Sequence, residues 1–232
     1  AYIEDEEQRE IEARNRRIGV GFFGFQEWLG ELGVPYSKAS REPMVADLLK
    51  GFKEQVIESS DNYAIELGIP KPIKHTTVAP TGTIAKLPGT TEGAHPVYSR
   101  YYERRVRYAA SDPKLAELAK DHEIEDCIYS ADTKVVVFHT KDTILNKVDP
   151  DLIEQSDEID ISDMLATQAL IQEHYADNAV SFTANVNPEL PLEDLREAVR
   201  EYLPRLKGTT IMPDASRPQS PYTRITQEQW EA

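Results

Sequence analysis

The sequence predicts an α/β domain in which helices pack against a sheet. Residues 1–68 have helical patterns, and residues 69–232 alternate between strand-like and helical segments. Hydrophobic residues make up 40% of the 232 residues, so the chain can bury a sizeable core. There is no internal repeat and no linker long enough to separate two domains. We therefore expect a single domain over residues 1–232.

The N-terminal part of the chain predicts two long helices. Residues 3–32 are first charged and then amphipathic, which indicates one continuous helix that ends before Gly33. Glycines at positions 19, 21 and 24 weaken that helix, and the usual reason to keep them is the close approach of another backbone or a ligand. The second helix should begin near Pro43 and end at Gly68.

Strand and helix signals alternate in the remainder. Strands are predicted for KHTTVA (74–79), RRVRY (104–108), TKVVVFH (133–139), AVSFTANVNP (179–188) and GTTIMPD (208–214). Helices are predicted for 112–122, 163–176 and 191–206, the last with Leu192, Leu195, Val199 and Tyr202 facing inward. Few strands and much helix would leave apolar faces exposed, which suggests a fragment of a larger barrel or sheet.

Charge and composition exclude several classes of protein. The net charge of −15 argues against a nucleic-acid-binding protein, because such affinity depends on Lys and Arg. The basic segment RYYERRVRY (100–108) could stack bases, but a strand with solvated arginines is favoured. The longest apolar run, 135–138, is far too short to cross a membrane, and the acidic N-terminal residues do not form a signal peptide. We expect a cytoplasmic protein.

One loop could carry chemistry. Pro80, Thr81, Gly82, Thr83 and Ile84 follow a predicted strand, and two hydroxyls flank the glycine. Such a turn can direct backbone N–H groups and hydroxyls at an anion, although the spacing is not that of a Walker loop. An ordinary Thr-rich connection remains the alternative.

The histidines and the acidic residues give weaker signals. His75 and His95 flank the loop and could contact a phosphate, whereas no spacing indicates a metal site. The acidic stretch 154–163 is expected to form a solvated face.

Four blocks carry a resemblance that covers nearly the whole chain. They are RNRRIGVGFFGFQEWLG, HTTVAPTGTIAKLPGTTEGAHPVYSRYYERRVRY, MLATQALIQEHYADNAVSFT and GTTIMPDASRPQSPYTRIT. In this order they closely resemble the C-terminal part of the catalytic barrel of monomeric, adenosylcobalamin-dependent (class II) ribonucleoside-triphosphate reductases. The resemblance implies part of a ten-stranded α/β barrel. It also implies that Pro80, Thr81, Gly82, Thr83 and Ile84 bind the phosphates of a ribonucleoside triphosphate.

The resemblance further implies radical chemistry that this sequence could not perform by itself. In that family a cysteine thiyl radical removes the 3′ hydrogen of the ribose, and two other cysteines reduce the 2′ carbon. These cysteines have no counterpart here, and acidic neighbours should raise the pKa of the single Cys127, which is expected to be structural. We therefore expect a complementary N-terminal chain or segment that supplies the cysteines and binds most of the adenosylcobalamin.

Two further interpretations depend on this resemblance. Metal-radical class I reductases carry a Tyr-Tyr pair on the late barrel strand, but the matching GTTIMPD has no tyrosine, which favours a radical generated on the spot. Tyr101 and Tyr102 are interpreted as packing or substrate-wall residues. The alternative function is a non-catalytic nucleotide-binding or assembly module derived from the same barrel.

Overall fold

A computed structural model describes residues 3–214 and 217–232 of the chain. The helices are α1 (Glu6–Asn15), α2 (Phe25–Glu31), α3 (Pro43–Leu67), α4 (Leu115–Leu118), α5 (Ile161–His174), α6 (Leu192–Tyr202) and α7 (Gln227–Glu231). The strands are β1 (Tyr101–Ala109), β2 (Glu123–Asp126), β3 (Thr133–Lys141), β4 (Thr183–Val186), β5 (Thr210–Pro213) and β6 (Tyr222–Arg224). No helix among the described residues is long and apolar enough to span a membrane.

Four extended segments form a parallel wall. Residues 18–21 lie beside residues 74–78, which lie beside the chain leading into β4, and β4 pairs with β5. The Thr77 N–H donates to the Val20 carbonyl at 3.0 Å, and the Ser181 N–H donates to the Val78 carbonyl at 2.9 Å. The wall therefore follows chain order, with α3, α5 and α6 in its three connections, as is usual between parallel neighbours.

The predicted continuous helix over residues 3–32 is wrong. The chain leaves α1 through Arg16, which has φ +45°, runs extended past residues 18–21 and enters α2. A Cβ on Gly21 would lie 2.6 Å from the Thr77 carbonyl oxygen, and one on Gly19 would lie 2.8 Å from the Thr77 Cγ2. These glycines permit close approach of a neighbouring backbone, which confirms the reason inferred for them and explains the helix break.

Helix α5 lies at the centre of the main core. Ten of its fourteen residues are buried, and it packs against α3, α6 and the wall. Its two buried glutamines hold the chain that enters β4 and β5. The Gln172 Nε2 donates to the Asn178 carbonyl, before β4, at 2.9 Å, and the Gln168 Nε2 donates to the Gly208 carbonyl, before β5, at 2.7 Å. Buried amides thereby satisfy main-chain groups that the short strands leave unpaired.

A second sheet takes three of its strands, β1 to β3, from the chain between the second wall segment and α5, and its fourth strand, β6, from residues after β5. It is antiparallel with strand order β2-β3-β1-β6, and Val106 lies opposite Val136. The predicted strands at 104–108 and 133–139 are confirmed. Arg105 is ion-paired with Glu103 at 2.7 Å and Glu125 at 3.4 Å, so only part of the basic segment is solvated.

Several predicted boundaries change. Helix α3 begins at Pro43 as expected and ends at Leu67, with the predicted terminator Gly68 as its C-cap at φ +66°. The predicted helix over 112–122 contracts to the four residues of α4, and residues 74–79 make only isolated bridges rather than a continuous strand. Leu192 was expected to face inward but is 59% exposed, because it begins α6 before that helix reaches the core.

Candidate functional site

The loop over residues 80–84 follows the second wall segment and turns sharply at Thr81. Thr81 has φ +54°, a left-handed conformation that is unusual for a β-branched residue. Beyond it, the backbone N–H groups of Gly82, Thr83 and Ile84 have no hydrogen-bond partner within residues 3–214 and 217–232. All three residues are exposed, and Ile84 begins a short 3-10 turn that ends at Lys86. The loop therefore presents three consecutive donors to the solvent.

Short contacts hold together the two ends of the loop, residues 79–81 and residue 93, which we call its neck. The Gly93 N–H donates to the Thr81 hydroxyl at 2.8 Å. Gly93 has φ +52°, and a Cβ there would lie 2.4 Å from the Ala79 carbonyl oxygen, so only glycine fits without a backbone shift. The adjacent Ala94 carbonyl accepts a 2.7 Å hydrogen bond from the buried Tyr36 hydroxyl, and burial raises the pKa of Tyr36 well above its usual value.

Helix α2 holds the returning chain, residues 90–97, through two polar side chains. The Glu27 carboxylate accepts from the Thr91 N–H at 2.8 Å and from the Thr91 hydroxyl at 2.5 Å. The buried Gln26 accepts from the Val97 N–H at 2.6 Å and donates to the Glu154 carbonyl at 2.8 Å. Two neighbouring side chains of one helix therefore fix both ends of this returning segment.

His95 connects the same segment to β4. Its Nδ1 lies 2.9 Å from the Glu92 carbonyl oxygen, and its Nε2 accepts a 2.9 Å hydrogen bond from the Thr183 N–H of β4. The ring stacks on Phe182 with centroids 4.9 Å apart and planes 5° apart. Burial lowers the pKa of His95. Because both nitrogens are engaged by the protein, the predicted phosphate contact of His95 is wrong.

His75 is also turned away from a phosphate role. Its Nε2 lies 3.2 Å from the Asp61 carboxylate, and its Nδ1 lies 3.6 Å from the Asp177 carboxylate. Asp177 also pairs with Lys53 at 2.8 Å. The imidazole thus belongs to a polar cluster between α3 and the wall, where it lies beside carboxylates rather than beside the loop donors.

Two cavities adjoin each other, and the smaller one lies beside the loop at Pro80. The smaller one, about 260 Å³, is lined by residues that include Lys86, Glu92, His95 and Tyr102. The Lys86 Nζ lies 3.1 Å from the Glu92 carboxylate, which partly neutralises both charges beside the loop. Tyr102 is buried and lines this cavity, in agreement with its interpretation as a packing or wall residue.

The larger cavity, about 1000 Å³, lies at the carboxyl ends of β4 and β5. It shares Tyr98 and Asn185 with the smaller cavity, so the two are neighbours. The Arg224 guanidinium lies 4.1 Å from the centre of the Tyr98 ring and 2.6 Å from the Asp214 carboxylate. Ligands of parallel α/β proteins bind at this end of the strands.

The acidic stretch 154–163 borders this cavity, and its prediction as a solvated face is confirmed only in part: Asp157, Glu158 and Asp160 are exposed, whereas Glu154 is half-buried. The Glu154 carboxylate accepts from the Ser37 N–H and hydroxyl, each at 2.7 Å. Glu158 pairs with Arg100 at 2.6 Å, and Ile159 is buried. The carboxylates are used to attach this segment to neighbouring elements, a role that composition alone could not reveal.

Cys127 lies outside the loop region, just after β2 in the antiparallel sheet. Its N–H donates to the Thr133 carbonyl at 3.2 Å. The expected rise of its pKa is wrong: the Tyr129 N–H and the Arg107 side chain act on the thiol and lower its pKa. The nearby cation and backbone donor outweigh the acidic sequence neighbours.

The sequence-predicted loop residues lie together, but the residues that hold them were not predicted. Gln26, Glu27 and Tyr36 are far from the loop in sequence and contact it only through the fold. The one available signal was two polar residues inside the apolar segment FGFQEWLG. Among the described residues, no group of three or more His, Cys, Asp or Glu side chains could hold a metal ion.

Comparisons with known proteins agree on one family. Residues 73–212 match the family model described as ribonucleotide reductase, barrel domain. A relative from Mycobacterium phage D29, assigned as an adenosylcobalamin-dependent ribonucleoside-triphosphate reductase, is 40% identical over 99% of this chain and 35% of its own length. The adenosylcobalamin-dependent ribonucleoside-triphosphate reductase of Levilactobacillus brevis is 31% identical over 90% of this chain and 30% of its own length.

The structure matches the same family. A crystal structure of a B12-dependent (class II) ribonucleotide reductase superposes with a TM-score of 0.82 at 31% identity, over 97% of this chain and 34% of that one. The α subunit of the Actinobacillus ureae class Id ribonucleotide reductase shares the fold, with a TM-score of 0.60 at 17% identity, over 89% of this chain and 41% of that one. The chain thus spans about a third of the length of the curated relatives cited above.

Proposed function

This chain belongs to the ribonucleotide reductase barrel family, and we propose that it supplies the substrate-phosphate loop and part of the barrel wall of an adenosylcobalamin-dependent ribonucleoside-triphosphate reductase. Its substrate would be a ribonucleoside triphosphate and its product a deoxyribonucleotide. The radical and redox cysteines would come from a complementary N-terminal chain or segment. Residues 1–232 would form a single domain of that enzyme, in the cytoplasm where nucleotides are available.

The observation that carries this proposal is the row of unpaired donors at Gly82, Thr83 and Ile84. Backbone N–H groups bind phosphate oxygens without a nearby lysine, and charge-assisted hydrogen bonds of this kind are strong. The Thr83 hydroxyl also has no partner among the described residues, so it can join them. In this proposal Pro80 and Thr81 shape the turn, and the next three residues contact the phosphates.

The surroundings of the loop favour one orientation of the nucleotide. The larger cavity is lined by more carboxylates than cations, and this excess of negative charge would disfavour a triphosphate. The acidic residues are Asp157, Glu158, Asp160, Glu189 and Asp214, and the basic residues are Arg217 and Arg224. Placing the phosphates at the loop directs the ribose and base toward the cavities at the carboxyl ends of the strands. Fixed placement of the ribose is what a positioned radical reaction requires.

The two imidazoles beside the loop offer no nitrogen ligand to cobalt, because His75 and His95 are both engaged by protein groups. We therefore propose that the cofactor, which would supply the initiating radical, is bound mainly by the part of the enzyme outside this chain. A non-catalytic nucleotide-binding or assembly module, the alternative considered above, is not favoured by the relatives, which are reductases by name.

The loop is tested in the complete barrel, with the remainder supplied in trans or by fusion. Thr83→Val removes the hydroxyl and keeps the shape of the side chain, so nucleotide affinity should fall about tenfold to a hundredfold, or roughly 1.5–3 kcal/mol. Gly82→Val should hinder approach to the donors, although Gly82 is not in the left-handed region and the fold itself tolerates a Cβ there. Nucleoside binding should stay almost unchanged. If nucleotide and nucleoside lose affinity equally, or neither loses any, residues 80–84 only connect two elements and do not bind phosphate.

The proposal that the radical and redox cysteines lie outside this chain is tested with the isolated chain. It should form no deoxynucleotide with adenosylcobalamin and dithiothreitol, because Cys127 lies in the antiparallel sheet, apart from the loop. Turnover that is lost in Cys127→Ser would overturn the view that the cysteines come from elsewhere.

A further inference from the structure

His95 makes two hydrogen bonds whose direction is fixed by the partners. The Thr183 backbone N–H can only donate, so the His95 Nε2 that receives it at 2.9 Å carries no proton. The Glu92 carbonyl can only accept, so Nδ1, 2.9 Å away, carries the proton. The ring is therefore neutral and held in one tautomer. Parallel stacking on Phe182 fixes its plane.

These two bonds connect the loop to the wall. Glu92 precedes Gly93, whose N–H closes the loop neck on the Thr81 hydroxyl at 2.8 Å. Thr183 opens β4, and Asn185, two residues later on the same strand, borders both cavities. A displacement of the His95 ring would thus shift the loop neck relative to the strand that borders the cavities.

We propose that His95 is a positioning residue for the substrate: its Nδ1–H and unprotonated Nε2 lock the phosphate loop to β4, and so set where the phosphates lie relative to the ribose. This inference rests on the proposed function of the loop. His95 itself contacts no phosphate, because both nitrogens are occupied. Its effect is on geometry, so it should appear in ligands that engage the loop and be absent from those that do not.

Three substitutions of His95, made in the complete barrel, separate the effects of its two hydrogen bonds and of its stacked ring. His95→Phe keeps an aromatic ring to stack on Phe182 and removes both hydrogen bonds. His95→Gln retains an acceptor that can reach Thr183, and His95→Asn retains a donor near the Glu92 carbonyl. His122→Phe is a matched control, because His122 packs on Phe138 in the antiparallel sheet, with centroids 4.5 Å apart.

Binding of a ribonucleoside triphosphate and of the matching ribonucleoside is measured for each variant, together with KM and kcat. His95→Phe should weaken triphosphate binding about tenfold to a hundredfold and leave nucleoside binding unchanged. Because a misplaced ribose also reacts more slowly, kcat should fall with the rise in KM. His95→Gln and His95→Asn should recover part of the loss, and His122→Phe should match the unaltered protein.

The outcomes distinguish this inference from the function on which it rests. If the unaltered protein shows no preference for the triphosphate over the nucleoside, the phosphate-loop proposal itself fails. If it shows that preference and His95→Phe retains it, or loses both ligands equally, the positioning role is overturned. Should His95→Phe not fold, the Gln and Asn variants decide: affinity equal to that of the unaltered protein in both would overturn the role.

Discussion

The tip of the loop and the segment that returns from it differ sharply in how their main-chain groups are used. At the tip, the N–H groups of Gly82, Thr83 and Ile84 have no partner within the described part of the chain. In the returning segment, residues 90–97, side chains from α2, from Tyr36 and from His95 bind the main chain at several points. The tip thus carries three consecutive unpaired donors, whereas the N–H groups of Thr91, Gly93, His95 and Val97 in the returning segment are all bound.

This difference explains how a short turn can hold a defined shape. Exposed N–H groups bind water when no ligand is present, so leaving them without a protein partner costs little free energy. A phosphate is bound most strongly by donors that are already aligned. The alignment is provided by the pinned segment, through Gly93 and the Thr81 hydroxyl. Binding and support are therefore divided between two stretches of one loop, and substitutions in each should have different consequences.

The largest effect is expected from Gln26→Leu. The change leaves the Val97 N–H and the Glu154 carbonyl unpaired in the interior, where each such loss costs about 1–3 kcal/mol. We expect the free energy of unfolding to fall by about 2–4 kcal/mol in denaturant titrations. Gln55→Leu on the exposed side of α3 is the control and should change stability by less than about 0.5 kcal/mol. Similar values for the two variants would show that α2 does not support the loop.

Alanine substitutions at Gly93 and Gly82 should affect stability differently, because Gly93 lies in the supporting segment and Gly82 at the tip. Alanine at Gly93 must adopt φ near +52° with its Cβ against the Ala79 carbonyl, so stability should fall by about 2–3 kcal/mol. Alanine at Gly82 meets only the Glu92 carboxylate at 3.5 Å and should cost less than about 1 kcal/mol. Thermal unfolding of both variants measures the difference in stability. A destabilised Gly82→Ala together with an unaffected Gly93→Ala would contradict this prediction.

The sequence was informative where the signal is local. Pro43 and Gly68 delimit α3 because their backbone preferences act within one turn. The Thr-Gly loop was found for the same reason, since its residue types suit a tight turn. Even so, the left-handed residue is Thr81 rather than a glycine, and it is supported by a hydroxyl contact with Gly93, twelve positions away.

Long-range contacts explain the predictions that were wrong. The helix over residues 3–32 fails because Thr77 approaches the backbone at Gly21, a contact that helical periodicity does not contain. The pKa of Cys127 was assigned the wrong direction because the Tyr129 N–H, and with it Arg107 from β1, lowers that pKa, and neither effect follows from the acidic sequence neighbours. His95 could be recognised as polar and near the loop, but its partner Thr183 is 88 positions away.

Thr81 allows the strain at the neck to be measured. Thr81→Ala removes the hydroxyl contact with Gly93 and keeps a Cβ in the left-handed region, so it should destabilise by about 1 kcal/mol. Thr81→Gly loses the same contact but relieves the backbone strain, and should be about 1 kcal/mol more stable than the alanine variant. Chemical denaturation measures this difference. If the two variants are equally stable, the left-handed conformation carries no strain.

The smallest expected effect is a pH dependence of protein stability that arises from His95, which supports the loop. Burial lowers the pKa of His95 from its ordinary value of 6.5, so the unfolded chain gains a proton in a pH range where the folded protein does not. The free energy of unfolding should therefore decrease as pH falls below about 6.5, and the loss is complete once the folded-state pKa is passed. Lys86 and Glu92 also face this cavity, and both remain in His95→Gln. His174, whose pKa burial also lowers, is retained as well.

The His95→Gln variant should therefore isolate the histidine contribution. Its stability should fall less steeply between pH 7.5 and 5.5 than that of the unaltered protein, by on the order of 1 kcal/mol or less over the range. Denaturant titrations at several pH values measure the two slopes. Parallel curves would mean that the imidazole accepts a proton as readily in the folded protein as in the unfolded chain. That result is incompatible with an Nε2 that receives the Thr183 N–H, and the support of the loop by β4 would then need another origin.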